Sequence, residues 1–370
     1  EMRQLSLDET ETMCALLDEQ LSQGAIGLSL GLIYPPGSFC DTREIIALAK
    51  VLAKRDRILA VHMRNENKGV FDALDEMISV AKKTGVKLQV SHLKLMGTDQ
   101  WGRADELLAK IDLARAHGVR IHCDQYPYCA SSSALTSCLP KWAMEGSFEQ
   151  LVKRLNTPEI FAEIAANDMP EMKNRGGPDR IVIVDTHGAF TEVEGMTLHE
   201  AANLMNLEVT EFIRQILIRC DGMVRCIYHS IDRGDMLKIM ARTDVATASD
   251  GTAYSLVNMP GKLHPRNTST FPCFLRTVRE EGLMPLEDAV YKITALPAAL
   301  IGLDNKIGYL REGYTADITV FDYNTIADTA TYHRPNLAPV GIDYVFVNGE
   351  LVLDHGKVTN MRPGRVYRIR

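Results

Sequence analysis

Ile58-Leu-Ala-Val-His62-Met-Arg-Asn-Glu66 and Val86-Lys-Leu-Gln-Val-Ser-His92-Leu-Lys94 are two short apolar runs, each running into a histidine. Residues 70 to 83 between them carry the spacing of a helix, so the three pieces read as a βαβ unit. Parallel strands of such a unit point the same way, and their C-terminal ends emerge side by side on one face of the sheet. His62 and His92 are therefore expected as neighbours. Two neutral imidazoles converging at the mouth of a barrel suit a catalytic Zn²⁺, provided a further ligand arrives from elsewhere. One such histidine alone is more often a polar strand end satisfied by backbone or water; two at equivalent positions favour the metal.

The βα alternation extends to both sides of this unit. Residues 1 to 23 read as a helix, with acidic and hydroxyl residues in its first turn and Met13, Leu16, Leu17 and Leu21 on one face. A small-residue strand follows over 24 to 31, then a helix over 42 to 54. Downstream, a helix over 104 to 117 leads to a strand beginning at Val119 that carries His122, Asp124 and Tyr126. Histidines at 62, 92 and 122 are each 30 residues apart, close to one βα unit. His122 nevertheless lies four residues before the turn at Pro127, which puts it a layer below the mouth, while Asp124 or Tyr126 reaches the rim.

The span from about 131 to 240 is too long for one connection between strands. Helical patterns at 147 to 154, 158 to 167, 197 to 206 and 210 to 220, with a strand at 180 to 185, read as an inserted lid. Asn174-Arg-Gly-Gly-Pro-Asp179 breaks it, and 224 to 229 is a further short strand. Asp244-Val-Ala-Thr-Ala-Ser-Asp250-Gly251 is a strand closing on an aspartate that would face the same mouth. By itself an Asp-Gly pair is more often a turn. From Ile307 the texture changes to β runs with an Asn348-Gly349 hairpin signal. The expected division is a barrel over 1–304 and a small β domain over 305–370.

A chain of 370 residues, 46% of them hydrophobic, buries enough core for one barrel-sized domain and an appendage. Its net charge of -7 argues against nucleic acid as the main partner. Eight cysteines without a CxxC pair read as reduced thiols of a cytoplasmic protein. No stretch is long and apolar enough to predict a membrane span or signal peptide.

Taken together, these segments resemble the D-aminoacylase (N-acyl-D-amino-acid deacylase) family of the amidohydrolase superfamily. The carriers are Gly-Leu-Ser-Leu-Gly-Leu-Ile-Tyr34-Pro-Pro-Gly, His62-Met-Arg-Asn-Glu66, Ser91-His92-Leu-Lys94, Asp124-Gln-Tyr126-Pro-Tyr128, Ser249-Asp250-Gly251, His264-Pro265-Arg266 and Gly-Tyr-Thr-Ala-Asp317-Ile-Thr-Val-Phe-Asp322. The resemblance implies an α/β fold: a TIM-like (β/α)8 barrel of the metal-dependent hydrolase type, with zinc at its C-terminal mouth and a flanking β-sandwich. It implies His62 and His92 as metal ligands and Asp250 as the general base that later protonates the leaving amine. Lys94, Tyr126 and Arg266 match binders of the substrate α-carboxylate, with Ser132 or Ser133 nearby.

That chemistry is coherent in its own right. Zn²⁺ lowers the pKa of a bound water from ~15.7 to about 7 and polarises a carbonyl, a carboxylate beside it shuttles the proton, and two cations anchor an anionic substrate. The substrate class implied is an N-acyl-D-amino acid. The family's His-x-His pair and cysteine ligand do not occur here at matching positions, so they are expected from a preceding segment or a second chain. Without those strands the barrel is expected to stay open, with exposed strand edges. Two other readings stand beside this one: a non-catalytic or partner-dependent remnant, and a hydrolase of cyclic amides of the hydantoin or dihydropyrimidine kind. The last fits the Lys94, Tyr126 and Arg266 set less well, since a cyclic imide offers no carboxylate. Self-association is compatible with all three.

Overall fold

A computed structural model describes residues 3–256 and 258–369. Helix α1 (Leu7–Ser22) begins at Ser6, whose hydroxyl accepts from the Glu9 N–H while the Glu9 side chain accepts from the Ser6 N–H, a reciprocal cap that fixes the first turn. Then β1 (Gly27–Gly31), α2 (Thr42–Lys54), β2 (Ile58–His62), α3 (Val70–Thr84), β3 (Lys87–Val90), α4 (Ala104–Ala116) and β4 (Ile121–Gln125) alternate strand and helix. The helices form where the 3.6-residue spacing predicts. In α2, Ile45, Leu48, Ala49 and Leu52 are buried on one face, and the Asp41 carboxylate caps the N–H groups of Arg43 and Glu44. Gly85, at φ 74°, ends α3 in the left-handed conformation that glycine adopts without strain.

After β4 the chain leaves this sheet. Strand β5 (Ser131–Ala134), helices α5 (Phe148–Leu155) and α6 (Pro158–Asn174), strand β6 (Ile181–Asp185), helices α7 (Leu198–Leu204) and α8 (Val209–Arg219) and strand β7 (Arg225–Tyr228) form an inserted unit. At its centre is a three-stranded antiparallel sheet ordered β5-β7-β6. Helix α9 (Arg233–Met240) then returns the chain to β8 (Val245–Thr247), which pairs with β4 in parallel. The main sheet is therefore five parallel strands ordered β1-β2-β3-β4-β8. Helices α10 (Arg266–Glu281), α11 (Leu286–Ile293) and α12 (Ala295–Leu300) follow. An antiparallel sheet of β9 (Ile318–Phe321), β10 (Ile342–Val347), β11 (Glu350–Asp354) and β12 (Lys357–Val358) makes the appendage. Asn348 and Gly349 turn β10 into β11 with φ of 49° and 82°, the positive pair a two-residue hairpin requires.

Register decides which side chains share a face. Leu59, Val61, Leu88, Val90, Ile121 and Cys123 are buried in one apolar cluster with the helices α2, α3 and α4. The alternation of strand side chains puts Ala60, His62, Gln89, His122 and Asp124 on the other face. His122 is paired with Gln89, below the strand ends, as expected for a residue one layer down.

Three elements differ from the sequence reading. Strand β5 is Ser-Ser-Ser-Ala, a run with no strand signature, and it is ordered by pairing with the apolar β7. The 224 to 229 strand falls inside the expected insertion and pairs with β5 there. Helix α10 starts at Arg266 and runs through Pro272, where the proline pattern favours a start only at Phe274, because burial of Cys273, Phe274, Leu275 and Val278 outweighs one lost hydrogen bond. Helix α6 also continues to Asn174, past the expected 167. No helix among the described residues is long and apolar enough to cross a membrane.

Candidate active site at the carboxyl ends of the parallel strands

His62 is the last residue of β2, and His92 lies two residues beyond β3 in a turn at φ 42°. Such a backbone angle is uncommon for a residue other than glycine, and β4 supplies what holds it. The Asp124 side chain accepts the His92 N–H at 2.7 Å and the Gln89 amide at 2.5 Å, while the Asp124 carbonyl accepts the Leu93 N–H at 2.7 Å. Both ends of Asp124 thus grip the turn that presents His92. Burial pushes its carboxyl up from the ordinary value, against the lowering effect of these donors.

The two imidazole rings meet edge to face, their centres 4.3 Å apart. A third donor joins them. Glu66 is buried, with one carboxylate oxygen 3.6 Å from His62 Nε2 and the other 3.1 Å from His92 Nδ1. Its loop is pinned by the Met96 N–H to the Glu66 carbonyl at 2.8 Å and by Asn65 Oδ1, which accepts from the Asn67 and Gly69 N–H groups. One nitrogen or oxygen from each of His62, Glu66 and His92 lies within 4.8 Å of the others, a spacing that can hold one metal ion. His62 Nε2 is buried and has no hydrogen-bond partner. Burial holds its pKa down to about 3, against the pull of Glu66, so at neutral pH the ring is uncharged and able to ligate. An orphaned acceptor nitrogen beside a buried carboxylate fits a cation, and the site passes that test.

Lys94 lies against these groups, almost fully buried. Its ammonium donates to Glu66 at 2.5 Å and to the His92 carbonyl at 2.8 Å, and contacts His92 Nδ1 at 2.8 Å. Burial draws its pKa down from the ordinary lysine value; Glu66 opposes that pull and is itself held well below the usual range by Lys94 and the histidines, despite its burial.

Asp250 and Arg266 complete the arrangement. Asp250 lies beyond β8 at φ 48°, and its Oδ2 is 2.8 Å from Arg266 Nη1. The Arg266 guanidinium lies 5.1 Å from the Tyr126 ring centre and the Lys94 ammonium 5.5 Å from it. The Tyr126 hydroxyl is buried without a partner. A cavity of about 170 Å³ is lined by His62, Glu66, Lys94, Tyr126, Asp250 and Arg266, together with Ile33, Tyr34, Met96, Ser131, Ser132, Ser133, Ser137 and Arg175. Of the residues picked from the sequence, His62, Lys94, Tyr126, Asp250 and Arg266 line this cavity with Ser132 and Ser133, and His92 packs against His62 behind the lining.

Three groups escaped the sequence reading. Glu66 was quoted but given no role, although its position four residues after His62 is a usable signal. Arg175 was lost in the Gly- and Pro-rich break. Tyr34, whose hydroxyl lies 3.5 Å from His62 Nδ1, was quoted with its segment but given no role.

Residues 225–353 match the amidohydrolase family. The N-acyl-D-glutamate deacylase of Alcaligenes xylosoxydans xylosoxydans is 33% identical over 368 residues, which is 99% of this chain and 65% of that protein. The chain thus spans about two thirds of that relative's length. The crystal structure of N-acyl-D-glutamate deacylase from Bordetella bronchiseptica, complexed with zinc and a phosphonate mimic of the tetrahedral intermediate, superimposes with a TM-score of 0.81 at 33% identity, covering 99% of this chain and 68% of that one. A crystal structure of D-aminoacylase gives 0.81 at 31% identity, with 100% and 68% covered.

Proposed function

Because the chain belongs to the D-aminoacylase family of the amidohydrolases, we propose that it hydrolyses the amide bond of N-acyl-D-amino acids, releasing a carboxylate and a free D-amino acid. One observation carries the reading. Two lines of chemistry, a His62–Glu66–His92 donor set and a Tyr126–Arg266 anion clamp, meet at a single cavity that Asp250 also lines.

Zinc held by His62 and His92, with Glu66 as the third donor, would supply Lewis-acid polarisation of the scissile carbonyl and a water nucleophile at neutral pH. The chain's own residues do the rest. Arg266 has five N–H donors in a planar fork, enough to hold Asp250 and still bind a carboxylate bidentately. The unpartnered Tyr126 hydroxyl adds a donor, and the Lys94 charge lies 5.5 Å from the centre of the Tyr126 ring. These groups fix the α-carboxylate, and so the configuration of the α-carbon relative to the amide. Asp250 takes the proton released as water attacks and gives it to the nitrogen as the C–N bond breaks. The uncharged state of His62 keeps it a ligand rather than a competing acid. A cyclic amide would leave the Tyr126–Arg266 pair without an anion, which is why the linear substrate is favoured.

The test is hydrolysis of N-acetyl-D- and N-acetyl-L-amino acids with added Zn²⁺. Turnover of the D series is expected to fall by about 100-fold or more in Asp250→Asn, and to be lost in His92→Ala with the bound metal. Unchanged rates in both variants reject these assignments, and absence of turnover by the unmodified chain under all metal conditions rejects the enzyme reading.

A further inference from the structure

Three cations line the cavity, and two of them have an acid. Lys94 is paired with Glu66 at 2.5 Å and Arg266 with Asp250 at 2.8 Å. Arg175 is only 6% exposed, yet among the described residues it has no carboxylate within ion-pair distance, and its Nε is buried without any partner. Its one favourable contact is the face of Tyr228, whose ring centre is 5.3 Å from the guanidinium carbon. A buried guanidinium without a counter-charge is costly, and a protein keeps one where an incoming anion completes it.

We infer that Arg175 binds an anionic side chain of the substrate, so that the acids this site prefers are N-acylated acidic D-amino acids. The inference rests on the deacylase reading and narrows it. Arg175 follows α6 and stacks on β7, so it enters the cavity from the inserted unit, whereas Arg266 enters from the start of α10. The two guanidiniums therefore address different parts of one molecule: Arg266 the α-carboxylate, Arg175 the group beyond the β-carbon.

The experiment compares N-acetyl-D-glutamate with its neutral isostere N-acetyl-D-glutamine, with Zn²⁺ present, in the full chain and in Arg175→Met and Arg175→Lys. The full chain is expected to favour the glutamate substrate. Arg175→Met should raise KM for glutamate about 30-fold or more, change glutamine by less than about threefold, and leave kcat for both nearly intact. Arg175→Lys should restore part of the glutamate preference. The unliganded Arg175→Met chain should melt no lower than the wild type, because it loses a buried charge that has no carboxylate partner among the described residues. Equal use of both substrates, an equal loss on both in Arg175→Met, or a lowered melting temperature without substrate overturns the inference while leaving the deacylase reading standing. Failure to hydrolyse either substrate overturns the deacylase reading, and this inference with it.

Discussion

Asp124 shows how a residue beside the candidate site acts on its neighbours without lining the cavity. Position along β4 made Asp124 or Tyr126 the residue reaching the rim, and register alone could not separate them. Tyr126 lines the cavity, while Asp124 turns sideways and holds the His92 turn through the His92 N–H and Gln89. The histidines were legible because each ends an apolar run. Glu66 was not, because its place beside them depends on a loop fold that no periodicity encodes. The Asp124 contacts predict a graded mutant series. Asp124→Ala removes the acceptor that stabilises the positive φ of His92, and zinc affinity should fall about 10- to 100-fold, as for other residues that orient a ligand. Asp124→Asn keeps one oxygen for the His92 N–H, with the Gln89 amide free to reverse, and should lose only a fraction of that. Competition against a chelator of known affinity reads both values. Equal affinities in the alanine variant and the wild type would show that the turn holds His92 without Asp124.

Among the elements, those with caps and a 3.6-residue stripe were readable almost to their ends, and α2 and β2 fall on their expected bounds. Elements ordered by partners were not: β5 has no apolar face of its own, and α10 runs across a proline. Helix α11 adds a device that composition hides. Lys292 is 1% exposed and donates to the carbonyls of Met240 and Arg242 at the end of α9, the latter at 2.7 Å. It caps the carbonyl-rich terminus of a different helix, where a cation is favoured. Lys292→Met leaves those carbonyls buried without donors and should lower stability by about 2 kcal/mol. Burial holds the Lys292 pKa down to about 7, well below an ordinary lysine. Above pH 7 the folded chain releases this proton while the unfolded chain keeps it up to about 10.4. The unfolded state then binds more protons, so this residue's contribution to stability rises with pH across that window, on the order of 1 kcal/mol per unit. Denaturant unfolding at pH 6 to 9 should show the slope in the wild type and not in Lys292→Met; parallel curves would mean that Lys292 stays charged, held so by its two carbonyls.

For the molecule as a whole, the order of parallel strands and the meeting of residues 62, 92 and 250 followed from the βα rhythm, whereas the inserted antiparallel sheet did not, since its strands are short and its pairing is non-local. The same rhythm explains how the molecule is tied together. The Ile369 N–H donates to the Gly24 carbonyl at 3.1 Å and Arg57 donates to the Ile369 carbonyl at 3.0 Å, so residues 345 apart in sequence meet beside β1. The candidate metal donors lie at the other end of the strands, where His62 ends β2, Glu66 follows it and His92 follows β3, so an ion there would link the two βα units that supply most of the apolar cluster packed on the parallel sheet. Zn²⁺ at 100 times its dissociation constant should then stabilise the fold by about 2.7 kcal/mol. For a chain of 370 residues that amounts to about 3.5 °C in melting temperature. Chelation should reverse the shift, and His62→Ala or His92→Ala should abolish it, because neither variant retains two imidazoles. Arg175→Met should keep it, since Arg175 is no ligand. The shift also separates two accounts of the apo state: burial without a partner at His62 Nε2 is a cost the ion removes, so His62→Ala without metal should lose less stability than the full chain gains on binding it. A zinc-dependent shift of equal size in wild type and His62→Ala would place the ion elsewhere and leave the pair of histidines as packing.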